Sequence, residues 1–179
     1  MSQIKLRPAT PADADALAAL LNQIIKSGGT TAHLNPFDGL RLLNHYLAPP
    51  LAISCFVAEV GGQIAGFQAL EWSDPNWPGP DSLPADWALI ASFVDADFQG
   101  RGIGKALFAQ TLAAAQSAGA RCIDATIRAD NQGGLAFYTS LGFTDYSRLQ
   151  DIPLSDGTLV DRIRKKRAVA DNLQKRAFN

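Results

Sequence analysis

The chain is poor in the residues that usually carry redox, disulfide or metal chemistry. Its 179 residues include two cysteines, two histidines and one methionine. Cys55 and Cys122 show neither CxxC spacing nor disulfide density, which fits a reducing compartment and makes a cytoplasmic location the expectation. No metal-ligand spacing links His33 or His45 to other ligating residues, so no metal is expected. No apolar run approaches the roughly 18 residues of a membrane helix, so no membrane partner is expected. The N-terminus runs from Met1 into an amphipathic segment and lacks the apolar block of a secretory leader. Strong charge of one sign is missing too: the net charge is −1 and the pI about 6.1, against a nucleic-acid binder. Hydrophobic residues make up 47% of the chain, which excludes wholesale disorder, and the length suits one domain.

The balanced total hides an asymmetry. Residues 1–160 carry 9 basic and 15 acidic side chains, whereas residues 161–179 carry 7 basic and 2 acidic ones. Such a run is ordinarily a solvated strand end and tail; the other reading is a patch that helps hold an anion. The acidic body would suit a cationic partner.

Periodicity gives a mixed α/β order. Ile4–Arg7 alternates as a strand, and Thr10-Pro11-Ala12-Asp13 reads as a helix start. Leu17, Leu20, Leu21, Ile24 and Ile25 then form one apolar face. A short helix is expected within Asp38–Leu47. Ile53–Val60, Gly61-Gly62 and Gln63–Trp72 read as a hairpin with Glu59 a solvated residue beside its turn. A proline-rich loop follows over 73–86, of a length that is more often functional than idle. Trp87–Val94 is an apolar run typical of a central strand buried on both faces. Helices are expected over Gly102–Ser117 and Asn131–Leu141, and strands over Arg121–Ile127, Phe143–Arg148 and Thr158–Arg164.

The most informative stretch is Asp97-Phe98-Gln99-Gly100-Arg101-Gly102-Ile103-Gly104-Lys105, between the buried strand and an alanine-rich helix. Its glycines let several N–H groups converge, and a helix N-terminus adds partial positive charge, so the stretch can cradle an anion. Arg101 and Lys105 add mobile charge. A dinucleotide fingerprint from Gly100 would need glycine where Lys105 stands. A Walker loop ending at Gly104-Lys105 would need glycine at Gln99 and a hydroxyl at Ala106. Both fail; a plain glycine turn without ligand remains the bland reading.

Gln99-x-x-Gly102-x-Gly104 resembles the acyl-CoA loop of the GNAT N-acetyltransferase superfamily. Asn131-x-x-Gly134-x-x-Phe137-Tyr138-x-x-x-Gly142-Phe143 resembles that family's second motif, with Gly134 where alanine is common. Residues 87–148 carry the strong similarity. The resemblance implies one domain over 4–165 followed by a basic tail, 166–179. It also implies a mixed, mostly antiparallel sheet with helices on both faces and a splayed parallel central strand pair.

It further implies an N-acetyltransferase that uses acetyl-CoA as co-substrate, with direct attack by a small-molecule primary amine. Members often form homodimers. The opening Leu6–Asp13 and Thr30-Thr31 resemble the branch acting on small amines and amino-acid-like acceptors. Carried over, Ser92, Phe93 and Val94 would meet the pantetheine arm, Gln99 to Lys105 (Gly100, Arg101, Gly102, Ile103 and Gly104 between them) the pyrophosphate, and Asn131 the arm's other side. Tyr138 would serve the leaving thiolate, or else pack beside Phe137 and Phe143. Glu71 and Asp95 compete as general base, with water alone a third option; His33 and His45 could also act, although a lone histidine is more often structural or exposed. Thr31, His33 and Trp72 would border the acceptor. The same motifs would also serve a non-catalytic acyl-CoA-binding module.

Overall fold

The computed structural model describes residues 3–79 and 81–169. Seven strands form one sheet: β1 (Ile4–Pro8), β2 (Ala52–Val60), β3 (Gln63–Trp72), β4 (Trp87–Val94), β5 (Cys122–Arg128), β6 (Thr144–Pro153) and β7 (Leu159–Ala168). Their order is β1-β2-β3-β4-β5-β7-β6. Every pairing is antiparallel except β4 with β5, and that parallel pair holds register at only three positions, Trp87↔Cys122, Ala88↔Ile123 and Leu89↔Asp124.

Side chains alternate across the sheet, so each strand feeds two cores. Phe67 and Ala69 of β3 and Phe93 of β4 pack with α1 (Ala14–Ser27), which buries Leu17, Leu20 and Leu21. This core also holds Leu42 of α2, a short helix (Gly39–Leu42) that runs into a π turn over Leu43–Leu47. Leu70 and Ile90 point the other way, toward Phe108 of α3 (Ile103–Ala118) and Tyr138 of α4 (Gln132–Ser140). Helices therefore cover both faces.

Local signals explain the boundaries. Asp38 accepts the Arg41 N–H at 2.7 Å and starts α2. Gly119 ends α3 at φ 82°, a left-handed conformation that glycine adopts without cost. Asp13 accepts hydrogen bonds from the Thr10 N–H (2.7 Å) and both terminal nitrogens of Arg7 (2.8 Å each). Arg7 also reaches Glu59 at 2.7 Å, so Glu59 is tied to β1 and is not a freely solvated hairpin residue.

The last hairpin is longer than the alternation suggests. Register shifts between Asp145 and Ser147 and between Leu149 and Ile152 break the two-residue period, and much of β6 is exposed. β7 continues through Ala168, which places Lys166 and Arg167 in the sheet. Residues 170–179 of the expected basic tail lie outside the described residues. β4 is less buried than a central strand should be, because Ala91, Ser92 and Val94 stand where β5 draws away.

Candidate active site

Beyond Leu89 the two central strands part, and the edge of Ile90–Val94 that faces β5 has no strand partner. A cavity of about 230 Å³ occupies this gap, lined from both faces of the sheet. Ser92, Asn131, Phe137 and Tyr138 border it on the α4 side, while Thr31, His33, Tyr46, Arg128 and Arg162 border it on the α1 side. A second cavity of about 170 Å³ shares Tyr46, Ile90 and Ala91 with the first and adds His45 and Glu71. Glu71 is the one carboxylate among the residues lining the two.

Tyr138 is brought to the cleft by α4, which Asn131 initiates. Asn131 Oδ1 accepts the Gly134 N–H at 2.9 Å, and Asn131 Nδ2 donates to the Thr30 carbonyl at 3.0 Å, tying α4 to the loop after α1. A Cβ on Gly134 would sit 2.6 Å from Asn131 Nδ2 and 3.1 Å from Ile127 Cγ2. Glycine at this position leaves room for the asparagine amide.

The Tyr138 hydroxyl lies 2.9 Å from Ser92 Oγ, and Ser92 Oγ accepts the Gln68 amide N–H at 2.7 Å. Gln68 is wholly buried, and its Oε1 has no partner. Burial pushes the Tyr138 phenol up to about 12, so it remains protonated at neutral pH.

On the opposite face, His33 Nε2 lies 2.6 Å from the Tyr46 hydroxyl. Burial, followed by the charges of His45, Arg41 and Arg162, pushes His33 down to about 4, so its imidazole is neutral near pH 7. Burial also lowers His45, helped by Arg41, and raises Tyr46, helped by the charge of Glu71. Glu71 itself is raised above the usual carboxylate range by burial.

The glycine loop leads into α3 at the open end of β4. Gly100 and Gly102 have φ of 74° and 79°, the left-handed region that favours glycine. No side chain caps α3, so the N–H groups of its first turn lack intrahelical partners. Ile103 is buried in the core, Gln99 and Lys105 are exposed, and the Arg101 guanidinium lies over the Phe98 ring at 5.1 Å. A Cβ on Gly104 would meet the Phe137 ring at 2.7 Å, so α3 and α4 approach closely here. On β4, the Phe93 side chain faces the α1 core, 4.9 Å from Phe67 between ring centroids.

Two expected site residues stand elsewhere. Asp95 accepts the Asp97 N–H at 2.9 Å and lines neither cavity. Trp72 packs against the α3–α4 core and lines neither. Tyr46, Arg128 and Arg162, which line the cleft, and Gln68, buried behind Ser92, escaped the motif reading. A glutamine inside the apolar run of β3 is a usable signal for Gln68. The two arginines are legible only once β5 and β7 are paired.

A family model described as "Acetyltransferase (GNAT) family" matches residues 23–143. An uncharacterised N-acetyltransferase of Methanocaldococcus jannaschii is 37% identical over 90 residues, half of this chain and 38% of that protein. This chain therefore spans well under half the length of that relative. The phosphinothricin N-acetyltransferase of Streptomyces viridochromogenes is 26% identical over 149 residues, 79% of this chain and 74% of that one. A Salmonella typhimurium acetyltransferase structure, solved with its cofactor acetyl-CoA, shares the fold at a TM-score of 0.75 and 20% identity, covering 96% of each chain. With the family match spanning most of the chain and the splayed sheet beneath it, the chain belongs to the GNAT acetyltransferase family.

Proposed function

We propose that this chain transfers the acetyl group of acetyl-CoA to a primary amine of a small molecule. The observation that carries this reading is the parting of β4 from β5 with Tyr138 aimed into the gap and an uncapped glycine-rich helix start at its end. These residues fit the co-substrate. The unpaired edge of Ser92, Phe93 and Val94 offers backbone groups to an amide-bearing arm, and Asn131 stands across from it. The N–H groups from Gln99 to Lys105, with the Arg101 and Lys105 charges, suit a pyrophosphate.

Acetyl-CoA, when bound, supplies a thioester carbon open to attack by a neutral amine. Glu71 is the carboxylate that takes the amine proton as the N–C bond forms; a carboxylate raised by burial is a better base than an exposed one. An N–H on the free edge of β4 near Val94 steadies the carbonyl oxygen. As the C–S bond breaks, Tyr138 offers its proton to the sulfur, supported by Ser92. A thiol near ~8.5 is more acidic than this phenol, so a hydrogen bond to the thiolate does as much as full transfer. Thr31 and His33, bordering the cleft on the α1 side, face the acceptor. The phosphinothricin N-acetyltransferase relative supports a small-molecule acceptor.

Acetyl-CoA at millimolar concentration should raise the melting temperature of this chain, and Gly102→Asp should abolish the rise by placing a carboxylate at the loop. Thiol release with an amine panel should then follow. No thermal shift sinks the proposal; a shift without thiol release with any amine makes the chain a binding module.

A further inference from the structure

We infer that Arg162 reads an anionic group, a carboxylate in the simplest case, on the acceptor amine. The inference rests on the proposed acetyl transfer and names the acceptor class for the same cleft.

Three arginines project from β5 and β7 toward the α1 side. Arg128 and Arg162 are direct cross-strand partners, and Arg164 sits opposite Thr126 one step along. Directly opposed like charges are unfavourable unless something neutralises them. Two of the three are neutralised. Arg128 pairs with Asp130 at 2.6 Å and donates to the Thr31 carbonyl at 3.2 Å. Arg164 pairs with the buried Asp124 at 3.3 Å and donates to the Asp81 carbonyl at 3.1 Å. The Nε of both Arg162 and Arg164 is shut off from solvent without a hydrogen bond, but Arg162 alone of the three makes no side-chain hydrogen bond or ion pair among the described residues.

Arg162 also lines the larger cavity, whose lining holds no carboxylate. A guanidinium in such a place is costly unless it receives an oxyanion, which its planar fork suits. The phosphates of the co-substrate are poor candidates. Their proposed cradle runs from Gln99 to Lys105 at the start of α3, whereas Arg162 stands beside His33 on the opposite, α1 face. What remains is a group on the acceptor, held so that its amine points through the gap toward Tyr138. The acidic composition of residues 1–160 suggested a cationic partner; the local charge of the cleft is the reverse.

The test pairs each L-amino acid with the amine that lacks only its carboxyl group, using thiol release from acetyl-CoA by the full chain. For the best pair, kcat/KM should favour the carboxylated member by about tenfold or more, the scale of a charged hydrogen bond. Arg162→Gln should erase that preference through the acceptor KM, Arg162→Lys should retain part of it, and the acetyl-CoA KM should stay unchanged in both. Equal turnover of both members, a preference that survives Arg162→Gln, or a change in the acetyl-CoA KM instead would overturn the inference. So would silence of every pair while acetyl-CoA still raises the melting temperature. Loss of the acetyl-CoA thermal shift in the unaltered chain is a different failure: it removes the proposed activity itself, and the acceptor assignment with it.

Discussion

Ser92 and Tyr138, 46 residues apart in the chain, meet at 2.9 Å across the α4 side of the sheet. Ser92 is already occupied on its far side, because Gln68 donates to its Oγ. The serine hydroxyl proton is then free to point at the tyrosine oxygen, which leaves the tyrosine O–H to point into the cleft. A phenol that loses proton density to a leaving sulfur gains from a donor behind it.

Tyr138→Phe should therefore lower kcat by about 10²-fold, within the range for a positioned acid, with little change in acetyl-CoA affinity. Ser92→Ala should lower kcat less and leave affinity similarly untouched. Steady-state kinetics alongside calorimetric binding separate the two effects. Because burial holds the Tyr138 phenol up to about 12, deprotonation of this group should not limit activity below about pH 11. An alkaline loss of activity near pH 9 that disappears in Tyr138→Phe would show this picture of the tyrosine to be wrong.

Gly102 and Gly104 differ in why they are glycine. At Gly102 nothing lies within 4 Å of where a Cβ would stand, but φ is 79°. At Gly104 the backbone imposes no such demand, and the Phe137 ring stands 2.7 Å from the Cβ position. Gly102→Ala should cost about 1 kcal/mol from the left-handed backbone alone, and Gly102→Asn less, since asparagine tolerates that region. Gly104→Ala should cost about 1–3 kcal/mol by overpacking against Phe137, and a paired Phe137→Leu should recover part of it. Urea unfolding of the single and double variants tests this; independent, additive effects of Gly104→Ala and Phe137→Leu would contradict it.

Local chemistry made much of this fold readable in advance. The Gly61-Gly62 turn between two β-rich runs, the alanine-rich helix stopped by Gly119, and Asn131 at the head of α4 each announce themselves within a few residues. Both strands of the last hairpin are readable too, but not their full length: the second bulge interrupts the alternation beyond Arg148, and β7 runs on past Arg164 to Ala168. The cleft was partly legible: Tyr138 and the glycine loop lie in spaced motifs. Gln68 beside Ser92, and Arg162 beside Arg128, are products of strand pairing over long separations. Arg162 also sits in a basic run that read as a solvated strand end. Asp95 looked well placed because it follows β4 directly, yet its carboxylate is used to turn the chain toward Asp97.

Glu71 is half-buried at the end of β3 beside Tyr46 and His45, and burial raises it above the usual carboxylate range. A carboxylate raised in this way favours the fold when protonated, and that favour is lost as pH climbs through its folded value. Glu71→Gln should therefore be at least as stable as the unaltered chain at neutral pH, with the difference shrinking as pH falls below the ordinary carboxylate range. Activity should move the other way, with kcat at neutral pH lowered by about 10²-fold. Thermal melts at several pH values and acetyl transfer rates measured on the same samples check both. A variant that is less stable at neutral pH yet fully active would remove Glu71 from the chemistry.

The Arg7–Asp13 pair makes the opposite pH prediction for the fold. Asp13 is held far below the usual carboxylate range by the Arg7 guanidinium, with Thr10 adding two further hydrogen bonds. A depressed carboxylate contributes stability that is present above its unfolded value and lost as pH falls through its folded one. Asp13→Ala should destabilise the chain by about 2–3 kcal/mol at neutral pH, the scale of a charged, partly buried hydrogen-bond set. It leaves Arg7 with Glu59 as its remaining carboxylate partner, and it removes the carboxylate that fixes the entry to α1. The penalty should begin to shrink as pH falls through about 4, the unfolded carboxylate value, be clearly smaller at pH 3, and go on shrinking toward the folded value. Arg7→Met should cost less than Asp13→Ala, since Thr10 still binds the carboxylate, and the double variant should fall short of the sum because the two residues share one interaction. Melts at pH 7 and pH 3 on all three variants distinguish this from simple packing loss, which would not vary with pH.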